Sequence, residues 1–403
     1  MYDVLLVKYG EIGLKGRNRR DFEERLAANL RRAAEGFEGV KVEREYGRIA
    51  VRPADDSQLA ARLCSVFGVV AVSPAVEAGL AFEAIVEACQ KLVARRLEEA
   101  GKPLTFKVEA RRPNKAFPLT SPQINAQVGA ALLRAFPELR VDVHKPAFQL
   151  TVEVRQEQVY VYDRSLPGPG GLPVGASSRG LLLLSGGIDS PVAGWLAMKR
   201  GVAVEAIHFH SFPFTSERSK EKVIELARVL SGWSPEPVPV HVVPFTEAQT
   251  AIKREVPAPM RITVMRRMML RIAERIARAR RIPALVTGES VGQVASQTLE
   301  SMAAINAVTS MPVLRPLVAM DKAEIVELAT RIGTYEISVL PYDDCCTLFV
   351  PDNPETKPRI ERVKRAESRL DIAALVEGAV SGVELVVAEP RPRLGEPFVE
   401  GRL

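Results

Sequence analysis

The stretch at residues 181–190, LLLLSGGIDS, joins an apolar strand to a short polar turn that contains two glycines. Gly186 and Gly187 allow the backbone to come close to a ligand and to adopt positive φ. Ser185 and Ser190 offer hydroxyl donors, and the helix expected after the turn presents unpaired N–H groups at its N-terminus. Residues of these types in this order favour binding of a phosphate group. The alternative interpretation is an ordinary turn between a strand and a helix.

Asp189 stands inside this turn and needs a separate explanation, because a carboxylate does not attract a phosphate. A carboxylate can hold Mg²⁺, which bridges it to the phosphates of a nucleotide. A Walker A loop would need a lysine followed by serine or threonine, and the turn lacks that pair. We therefore interpret residues 185–190 as a pyrophosphate-binding loop, with Asp189 as a catalytic residue and the protein ligand of Mg²⁺.

Three other regions carry residue types that suit a nucleotide pocket. The sequence IHFH ends a predicted strand, so His208 and Phe209 are expected near the adenine or the ribose. Gly288 and Gln297 follow a later strand, and open α/β sheets bind ligands at the carboxyl ends of their strands. Arg266 lies close to the apolar stripe of a predicted helix and is expected to point toward the phosphates. The alternatives are a hydrogen-bonded core histidine and an ordinary loop after a strand.

The sequence has four cysteines, of which Cys345 and Cys346 are adjacent. Metal-binding cysteines are normally spaced, as in C-x-x-C, and neighbouring cysteines form only a strained disulfide. The pair is therefore interpreted either as nucleophilic or sulfur-carrying thiols or as two small buried side chains. Cys64 and Cys89 fall at apolar positions of predicted helices and are expected in the core. So few cysteines make no disulfide framework, which favours the reducing cytoplasm.

The elements that must position these residues divide at residues 167–175, PGPGGLPVG, where seven of nine residues are glycine or proline. Before this segment, alternating strands are interleaved with helical stretches, which predicts two small α+β modules with a break near residues 73–79. After it, apolar strands such as GLLLLS and PALVTGE alternate with helices. This pattern is typical of a parallel sheet covered on both faces, so the predicted fold class is α/β.

Basic residues cluster in three regions of a chain whose net charge is +6. Residues 8–32 hold eight basic against four acidic residues, residues 101–122 hold five against one, and residues 261–281 hold eight against one. Such patches suit a polyanion, although each alone is also typical of solvated helices and loops. In the third region, Arg267 and Arg271 are expected on the side of a helix opposite a methionine-rich stripe. The candidate nucleic-acid-binding residues of the second region are Lys107, Arg111, Arg112 and Lys115.

The sequence offers no sign of a membrane protein. No stretch approaches the roughly 20 apolar residues that a bilayer-spanning helix needs. The N-terminal residues MYDVLLVKYGE lack the charged and apolar regions of a signal peptide. We therefore expect a cytoplasmic protein that does not associate with membranes.

Several stretches, taken together and in order, resemble the tRNA 4-thiouridine synthases, also called ThiI-type tRNA sulfurtransferases. The turn S-G-G-x-D-S is by itself similar to the PP-loop of ATP pyrophosphatases, which cleave ATP between the α- and β-phosphates. The resemblance runs from about residue 1 to about residue 368. The stretches include GEIGLKGRNRRDFE at 10–23, RRPNKAFPLTSPQIN at 111–125, LLSGGIDSPVAGWLAMKRG at 183–201, TGESVGQVASQTLESM at 287–302 and DDCCTLFVP at 343–351.

The resemblance implies an N-terminal ferredoxin-like α+β domain, a THUMP RNA-binding domain and a doubly wound, parallel-sheet PP-loop domain that adenylates its substrate. The end of the first domain is the least certain boundary and extends to about residue 75 on a second reading. The implied boundaries are 1–58 for the ferredoxin-like domain, 59–165 for the THUMP domain, 166–176 for a linker, 177–385 for the PP-loop domain and 386–403 for a tail.

The resemblance also implies the reaction. ATP adenylates the C4 oxygen of the uridine at position eight of tRNA, and persulfide sulfur from a cysteine desulfurase then displaces AMP. Cys346 is the implied sulfur-handling residue, with Cys345 and Asp189 as the other candidate catalytic residues. Lys107, Arg111, Arg112 and Lys115 become candidate tRNA-binding residues. The implied ATP-binding residues are Leu183, Leu184, Ser185, Gly186, Gly187, Asp189, Ser190, His208, Phe209, Arg266, Gly288 and Gln297.

The chain departs from the longer members of this family in one respect. They carry a C-terminal rhodanese-like domain with its own persulfide cysteine, and this sequence has no cysteine beyond Cys346. The resemblance is thus to a short form, which leaves open whether the chain also passes sulfur to the thiamine-thiazole carrier protein. A homodimer is left open as well. The alternative functions are another PP-loop tRNA-modifying enzyme and a non-catalytic THUMP RNA-binding protein.

Overall fold

A computed structural model describes residues 2–54, 56–101, 103–342 and 354–390 of the chain. The chain divides into two compact units, the first of which ends at Gly171 while the second begins at Leu172. The first unit therefore holds both predicted α+β modules, and the second holds the segment predicted as a parallel sheet. Among the described residues, no helix combines the length and the apolar character needed to span a bilayer.

The first unit is a nine-stranded sheet with helices, and its strands follow the order β2-β3-β1-β4-β8-β7-β5-β6, with β9 also paired to β4. Two short 3-10 helices lie between its first strand and its first α-helix. The elements are β1 Val4–Tyr9, α1 Arg19–Ala33, β2 Lys41–Glu45, β3 Arg48–Arg52, α2 Ser57–Leu63, β4 Val69–Ala78, α3 Phe82–Ala100, β5 Leu104–Arg111, α4 Ser121–Ala135, β6 Leu139–Val141, β7 Phe148–Val154, β8 Val159–Tyr162 and β9 Leu166–Pro167.

The second half of this unit forms because its strands and helices bury matching apolar faces. Phe106, Val108 and Ala110 alternate along β5 and point into a core shared with α3 and α4. Thr120 and Gln123 form a capping box that starts α4, and this satisfies N–H groups at the helix N-terminus. Cys64 and Cys89 have no exposed surface, which confirms the prediction that they are core residues.

The strand β4 belongs to both halves of the first unit. Its residues from Val69 to Ala75 pair with β1, whereas Val76 to Ala78 pair with β8. Arg48 of β3 and Glu153 of β7 form a buried ion pair that also joins the two halves. The sequence-based boundary at residue 58 would cut α2, and the second reading near residue 75 would cut β4. The two halves of the first unit do not form independent sheets, because the long strand β4 pairs with strands of both halves.

The predicted linker also contains structured residues. Leu166 and Pro167 pair with β4, so residues 166 and 167 belong to the sheet. A Cβ atom on Gly168 would lie 2.4 Å from the carbonyl oxygen of Val69, so only glycine fits this close approach. The linker prediction is therefore wrong for these residues, and the division between the units comes after Gly171.

The second unit is built on a six-stranded sheet with the order β14-β13-β10-β11-β12-β15. All of its strand pairs are parallel except the pair of β12 with β15, which agrees with the predicted parallel sheet. The elements are β10 Arg179–Leu183, α5 Asp189–Lys199, β11 Ala203–His210, α6 Glu217–Ser231, β12 Val238–Pro244, α7 Thr246–Glu255, α8 Arg261–Ala279, β13 Ala284–Val286, α9 Leu299–Asn306, β14 Val313–Leu314, α10 Lys322–Ile332, α11 Tyr335–Ser338, α12 Ile360–Glu367, α13 Ile372–Ser381 and β15 Glu384–Ala388.

The order in which strands are added to this sheet reverses at β10. From β10 the chain moves through β11 to β12 on one side, and it then returns to place β13 and β14 on the other side. Loops that follow β10 and its two neighbours meet at the carboxyl edge of the sheet, which is where doubly wound sheets bind ligands. The last strand, β15, pairs with β12 through Ala388, so the predicted tail at 386–403 begins too early. Leu385 and Val387 are exposed, so this edge strand presents apolar side chains outside the core.

In the arginine-rich helix α8, two arginines on the side opposite the methionine stripe bond another helix of the protein. Arg267 is 2% exposed, and its Nε and Nη2 lie 2.9 and 2.5 Å from the two carboxylate oxygens of Glu367 in α12. Arg271 bonds the same carboxylate. Burial raises the pKa of Glu367, but the two arginines outweigh burial and hold that pKa below its usual value. The side opposite the methionine stripe is thus partly a helix interface, which leaves fewer free cations for a polyanion.

Candidate nucleotide site

A cavity of about 240 Å³ lies at the carboxyl ends of the three adjacent strands β13, β10 and β11. Of the twelve predicted ATP-binding residues, eleven line this cavity, and Gly186 is the exception. Four further residues line it that the sequence did not single out as ligands: Ile207, Met269, Thr287 and Glu289. The structure therefore brings together residues that are up to about a hundred positions apart in sequence, while their role toward ATP stays a prediction.

The loop between β10 and α5 is organised by its own serines. Ser190 Oγ accepts the N–H of Ser185 at 2.9 Å and lies 3.1 Å from Ser185 Oγ. The N–H of Gly187 donates to Ser185 Oγ at 3.3 Å. Neither Gly186 nor Gly187 has positive φ, so that part of the prediction is wrong. The two serine hydroxyls hold the loop in shape, and the glycines leave room beside its backbone.

Gly288, in the loop after β13, packs directly against the backbone of Asp189 and Ser190. A Cβ atom at this position would lie 2.7 Å from the backbone nitrogen of Ser190 and 2.8 Å from the carbonyl carbon of Asp189. Real Cβ atoms do not approach backbone atoms this closely, so a side chain here would displace the start of α5. Glycine at 288 is required for packing, which the sequence alone did not indicate.

Asp189, the first residue of α5, is engaged by two side chains. Lys322 Nζ lies 2.6 Å from Oδ1, and Gln293 Nε2 donates to Oδ2 at 3.2 Å. Lys322 begins α10, where Asp321 and Glu324 form a capping box. The sequence analysis missed Lys322, and no spacing signal would have found it, because 133 residues separate it from Asp189. Within the described part of the chain, no cluster of three or more His, Cys, Asp or Glu forms a metal site.

Three residues that line the cavity carry a buried polar atom without a hydrogen-bond partner among the described residues. They are Nε2 of His208, Oε1 of Gln297 and Nε of Arg266. Buried polar atoms are rarely left unpaired in native proteins, so such atoms in a cavity indicate a ligand. Their mixture of acceptors and a donor suits the hydroxyl, amino and phosphate groups of a nucleotide.

His208 is held as a neutral imidazole. Its Nδ1 lies 3.2 Å from the carbonyl oxygen of Leu184, which makes Nδ1 the protonated nitrogen and leaves Nε2 as an acceptor. Burial lowers the pKa of His208 to about 4. The side chain therefore contributes an uncharged acceptor near neutral pH rather than a cation.

One wall of the cavity is apolar. Leu183 at the end of β10, Ile207 and Phe209 on β11, and Met269 on α8 line it. Phe209 is fixed by an edge-to-face contact with Phe245, with ring centroids 5.1 Å apart. A flat aromatic base gains free energy by burying its faces against such a wall. Met269 packs in the hydrophobic core and also lines the cavity.

In the first unit, the four candidate tRNA-binding residues differ in how free they are. Arg111 and Lys115 are exposed, and Arg111 bonds only its neighbour Glu109 among the contacts in the described residues. Lys107 lies 3.8 Å from the same carboxylate. Arg112 donates to the carbonyl oxygens of Lys115 and Phe117, so it closes the loop after β5. Cys345 and Cys346 lie outside the described residues, and their predicted roles stay predictions.

Comparison with known families gives three matches along the chain. A family model described as "ThiI ferredoxin-like domain" matches residues 4–73, and one described as "THUMP domain" matches residues 81–163. A third, described as "Thiamine biosynthesis protein (ThiI)", matches residues 175–372. The three matches follow the order of the three predicted modules.

Similar proteins and structures cover nearly the whole chain. A "Probable tRNA sulfurtransferase" of Moorella thermoacetica is 54% identical over 97% of this chain and 99% of its own. One of Brevibacillus brevis is 50% identical over 97% and 98%. A crystal structure of a 4-thiouridine synthetase–RNA complex with bound ATP has a TM-score of 0.89, with 43% identity over 96% of this chain and 100% of that chain. The crystal structure of PH1313 from Pyrococcus horikoshii has a TM-score of 0.66 and 27% identity, covering 82% and 99%.

Proposed function

The chain belongs to the ThiI family of tRNA sulfurtransferases, and from this premise we propose how its cavity carries out the ATP-dependent thiolation of tRNA to 4-thiouridine. The observation that carries the proposal is the cavity itself. It combines the loop at residues 185–190, an apolar wall and three unpaired polar atoms at the carboxyl edge of one sheet. Each of these parts suits one portion of ATP.

The first step activates the uridine. Its C4 oxygen attacks the α-phosphorus of ATP, the bond from that phosphorus to the bridging oxygen breaks, and pyrophosphate leaves. The backbone N–H groups at the start of α5 face the phosphates, because a helix N-terminus favours an anion. Arg266 and Lys322 supply positive charge where negative charge develops on the departing pyrophosphate. The product is an adenylated uridine on the tRNA.

The adenine base of ATP packs against the apolar wall formed by Leu183, Ile207, Phe209 and Met269. The neutral acceptor of His208 and the amide oxygen of Gln297 pair with the amino or hydroxyl groups of the nucleoside. Two acceptors suit these groups because each carries hydrogens to donate. This placement leaves the triphosphate to run toward Ser185 and Asp189.

Mg²⁺ is the proposed metal cofactor, and Asp189 fits it as the single protein ligand. Mg²⁺ is commonly held by one or two carboxylates together with substrate phosphates and water, so a cluster of protein ligands is not required. Both carboxylate oxygens of Asp189 bond side chains, so Lys322 would give up this carboxylate and pair with a phosphate instead. When bound, the metal neutralises phosphate charge.

The second step transfers sulfur, and we assign it to Cys346. This residue receives persulfide sulfur from a cysteine desulfurase, and the outer sulfur forms a bond to C4 of the uridine as AMP leaves. The thiolate of Cys345 then attacks the inner sulfur of Cys346, which breaks the sulfur–sulfur bond and frees the thiolated tRNA. This leaves a disulfide between the two cysteines, and an external thiol reductant restores them. A thiolate is the side-chain nucleophile suited to this chemistry.

The first unit is proposed to bind the tRNA through its exposed cations. Arg111 and Lys115 are the candidate residues whose side chains are exposed.

The description of the matched family as a thiamine biosynthesis protein supports the thiamine-thiazole carrier protein as a second proposed sulfur acceptor. Free, buried cysteines at 64 and 89 suit a reducing cytoplasm. A homodimer is a further proposal, which analytical ultracentrifugation would test directly.

The experiment that tests the function measures both steps on one tRNA. Purified wild-type protein and Asp189→Ala are given ATP, unmodified tRNA and a persulfide donor. Pyrophosphate release reports the first step, and mass spectrometry of digested nucleosides reports 4-thiouridine. We expect both products from the wild type, and neither from the variant, which should still bind tRNA. Pyrophosphate release by Asp189→Ala at the wild-type rate would contradict the assignment of the loop.

A further inference from the structure

Glu289 is a buried carboxylate in the cavity, and the steps proposed above give it no role. It follows β13, is 3% exposed and lines the cavity. A carboxylate in a pocket for a triphosphate repels the phosphates unless nearby cations neutralise it. Its presence there therefore needs a reason that the apolar wall and the phosphate loop do not provide.

One oxygen of Glu289 is fixed from behind. Oε2 accepts Arg315 Nε at 2.8 Å and Thr287 Oγ1 at 3.0 Å. Arg315 is itself held, since its Nη2 donates to Asn306 Oδ1 at 3.1 Å and its Nη1 to the carbonyl oxygen of Val313 at 3.4 Å. Arg315 does not line the cavity. It acts as a rigid support outside the cavity rather than as a ligand.

The other oxygen of Glu289 faces Arg266. Arg266 Nη1 lies 3.5 Å from Glu289 Oε1, and Arg266 lines the same cavity from α8. The Nε of Arg266 is buried and has no partner among the described residues. One edge of this guanidinium is thus held by protein while another stays open, and a guanidinium can use its separate edges for separate partners.

We propose that Glu289 is a positioning residue that holds the guanidinium of Arg266 in place for ATP. Arg315 supports Glu289, and Glu289 supports Arg266. Of these three residues, only Arg266 contacts the phosphates. This inference rests on the proposed function, since it assumes that ATP occupies the cavity. It predicts that Glu289 raises the affinity for ATP only through Arg266. Without Arg266, the carboxylate of Glu289 should lower that affinity by repelling the phosphates.

The test is a double-variant cycle on ATP binding, measured by titration calorimetry with the full chain and no tRNA. The four proteins are the wild type, Arg266→Ala, Glu289→Gln and the double variant. We expect Glu289→Gln alone to weaken ATP binding about tenfold and Arg266→Ala alone to weaken it more. The double variant should bind ATP within threefold of Arg266→Ala or more tightly, because removing the orphaned carboxylate removes its repulsion of the phosphates.

A purely structural role for Glu289 gives a different result. The two losses would then multiply, and a double variant more than threefold weaker than Arg266→Ala would overturn the inference. Glu274→Gln is the matched control, because Glu274 bonds Arg278 on the outer side of the same helix. Its ATP affinity should equal that of the wild type. Thermal unfolding of each variant monitors folding. If Glu289→Gln does not fold, Glu289→Asp replaces it, because the shorter side chain withdraws from Arg266; the double variant should then bind ATP within threefold of Arg266→Ala.

The same data separate this inference from the function beneath it. A wild-type protein that binds no ATP would contradict the proposed function and, with it, the inference about Glu289. A wild type that binds ATP, together with losses that multiply, would contradict the role of Glu289 alone.

Discussion

Lys322 and Asp189 form an ion pair at the candidate nucleotide site, with Nζ of the lysine 2.6 Å from Oδ1 of the aspartate. The two side chains are 47% and 24% exposed, so solvent reaches both. The pair joins the start of α10 to the start of α5, which follows the loop at residues 185–190. If the proposed function is correct, Lys322 can exchange the carboxylate for a phosphate of ATP.

Replacing Lys322 with methionine is expected to slow the first step. The variant loses a cation beside the departing pyrophosphate, and losses of single charge-stabilising groups lower rates by roughly 10²- to 10³-fold. Pyrophosphate release with saturating tRNA measures the effect. Lys364→Met is the matched control, since Lys364 bonds Glu361 on an exposed helix surface of the same unit. A Lys322 variant that keeps the wild-type rate would remove this lysine from the reaction.

Gly288→Ala is expected to disrupt ATP binding through the loop it touches. The added methyl group would lie 2.7 Å from the Ser190 nitrogen, so the start of α5 must shift. A displacement near 1 Å in a preorganised site lowers activity by about a hundredfold. Gly378→Ala in α13 is the control, because its nearest neighbour would lie at an ordinary 3.8 Å. Equal ATP affinities for the two variants, measured by calorimetry, would contradict the close approach.

His208 should make the protein lose stability as the pH falls. Its pKa is lowered from 6.5 to about 4 in the folded state, chiefly by burial and also by His210 and Lys220, so the unfolded chain binds a proton first. Stability from this group is full above pH 6.5 and falls as the pH approaches 4. The loss is on the order of 3 kcal/mol at most. Urea unfolding at pH 7.0, 5.5 and 4.5 should show a smaller drop for His208→Gln than for the wild type, and equal drops would count against a buried neutral histidine.

Arg111 should contribute to tRNA binding mainly through phosphate contact. We expect Arg111→Ala to weaken binding and to reduce the slope of log affinity against log salt by about one unit. The measurement is filter binding of tRNA from 50 to 400 mM salt, with Lys91→Ala as a control on the helical side of the same unit. An unchanged slope would mean that Arg111 does not contact the phosphates of the tRNA.

Cys346→Ser should separate the two steps of the reaction. The variant keeps the ATP site, so it should bind ATP and tRNA and still form the adenylated tRNA, but it should make no 4-thiouridine. Sulfide at high concentration should restore part of the product, because free sulfide can attack the adenylate directly. The Cys345→Ser variant should be equally impaired if Cys345 resolves the persulfide. Normal thiolation by Cys346→Ser with a persulfide donor and no free sulfide would exclude the cysteine from the mechanism.

The predicted ATP-binding residues come together in one cavity because local sequence patterns carry most of them. The apolar strand and the turn at 181–190 lie next to each other in the chain, and strand ends in a parallel sheet meet at one edge. The contacts that it missed join distant parts of the chain. Lys322 reaches Asp189 across 133 residues, and Arg267 reaches Glu367 across 100. Nothing in the local sequence of either partner indicates the other, so these pairs became visible only in the fold.

The predicted module boundaries do not fall between separate sheets, for a related reason. A boundary is sought where the pattern breaks, and the chain around residue 58 does break between a strand and a helix. Pairing, however, continues through β4 after that break. The edge strand β15 was missed because its apolar run, Leu385 to Ala388, is short and its partner β12 lies far away in the sequence.

The shared strand also limits how this protein can be taken apart. A fragment that begins after residue 78 would leave β8 paired only with β7, and one that ends before Ser73 would remove part of the strand that pairs with β1. The smallest piece that keeps every strand pair of this sheet is therefore the whole stretch up to Gly171, which keeps β9 and its pairing to β4. Exchange of these halves between related proteins, whether by evolution or by engineering, would have to move both together.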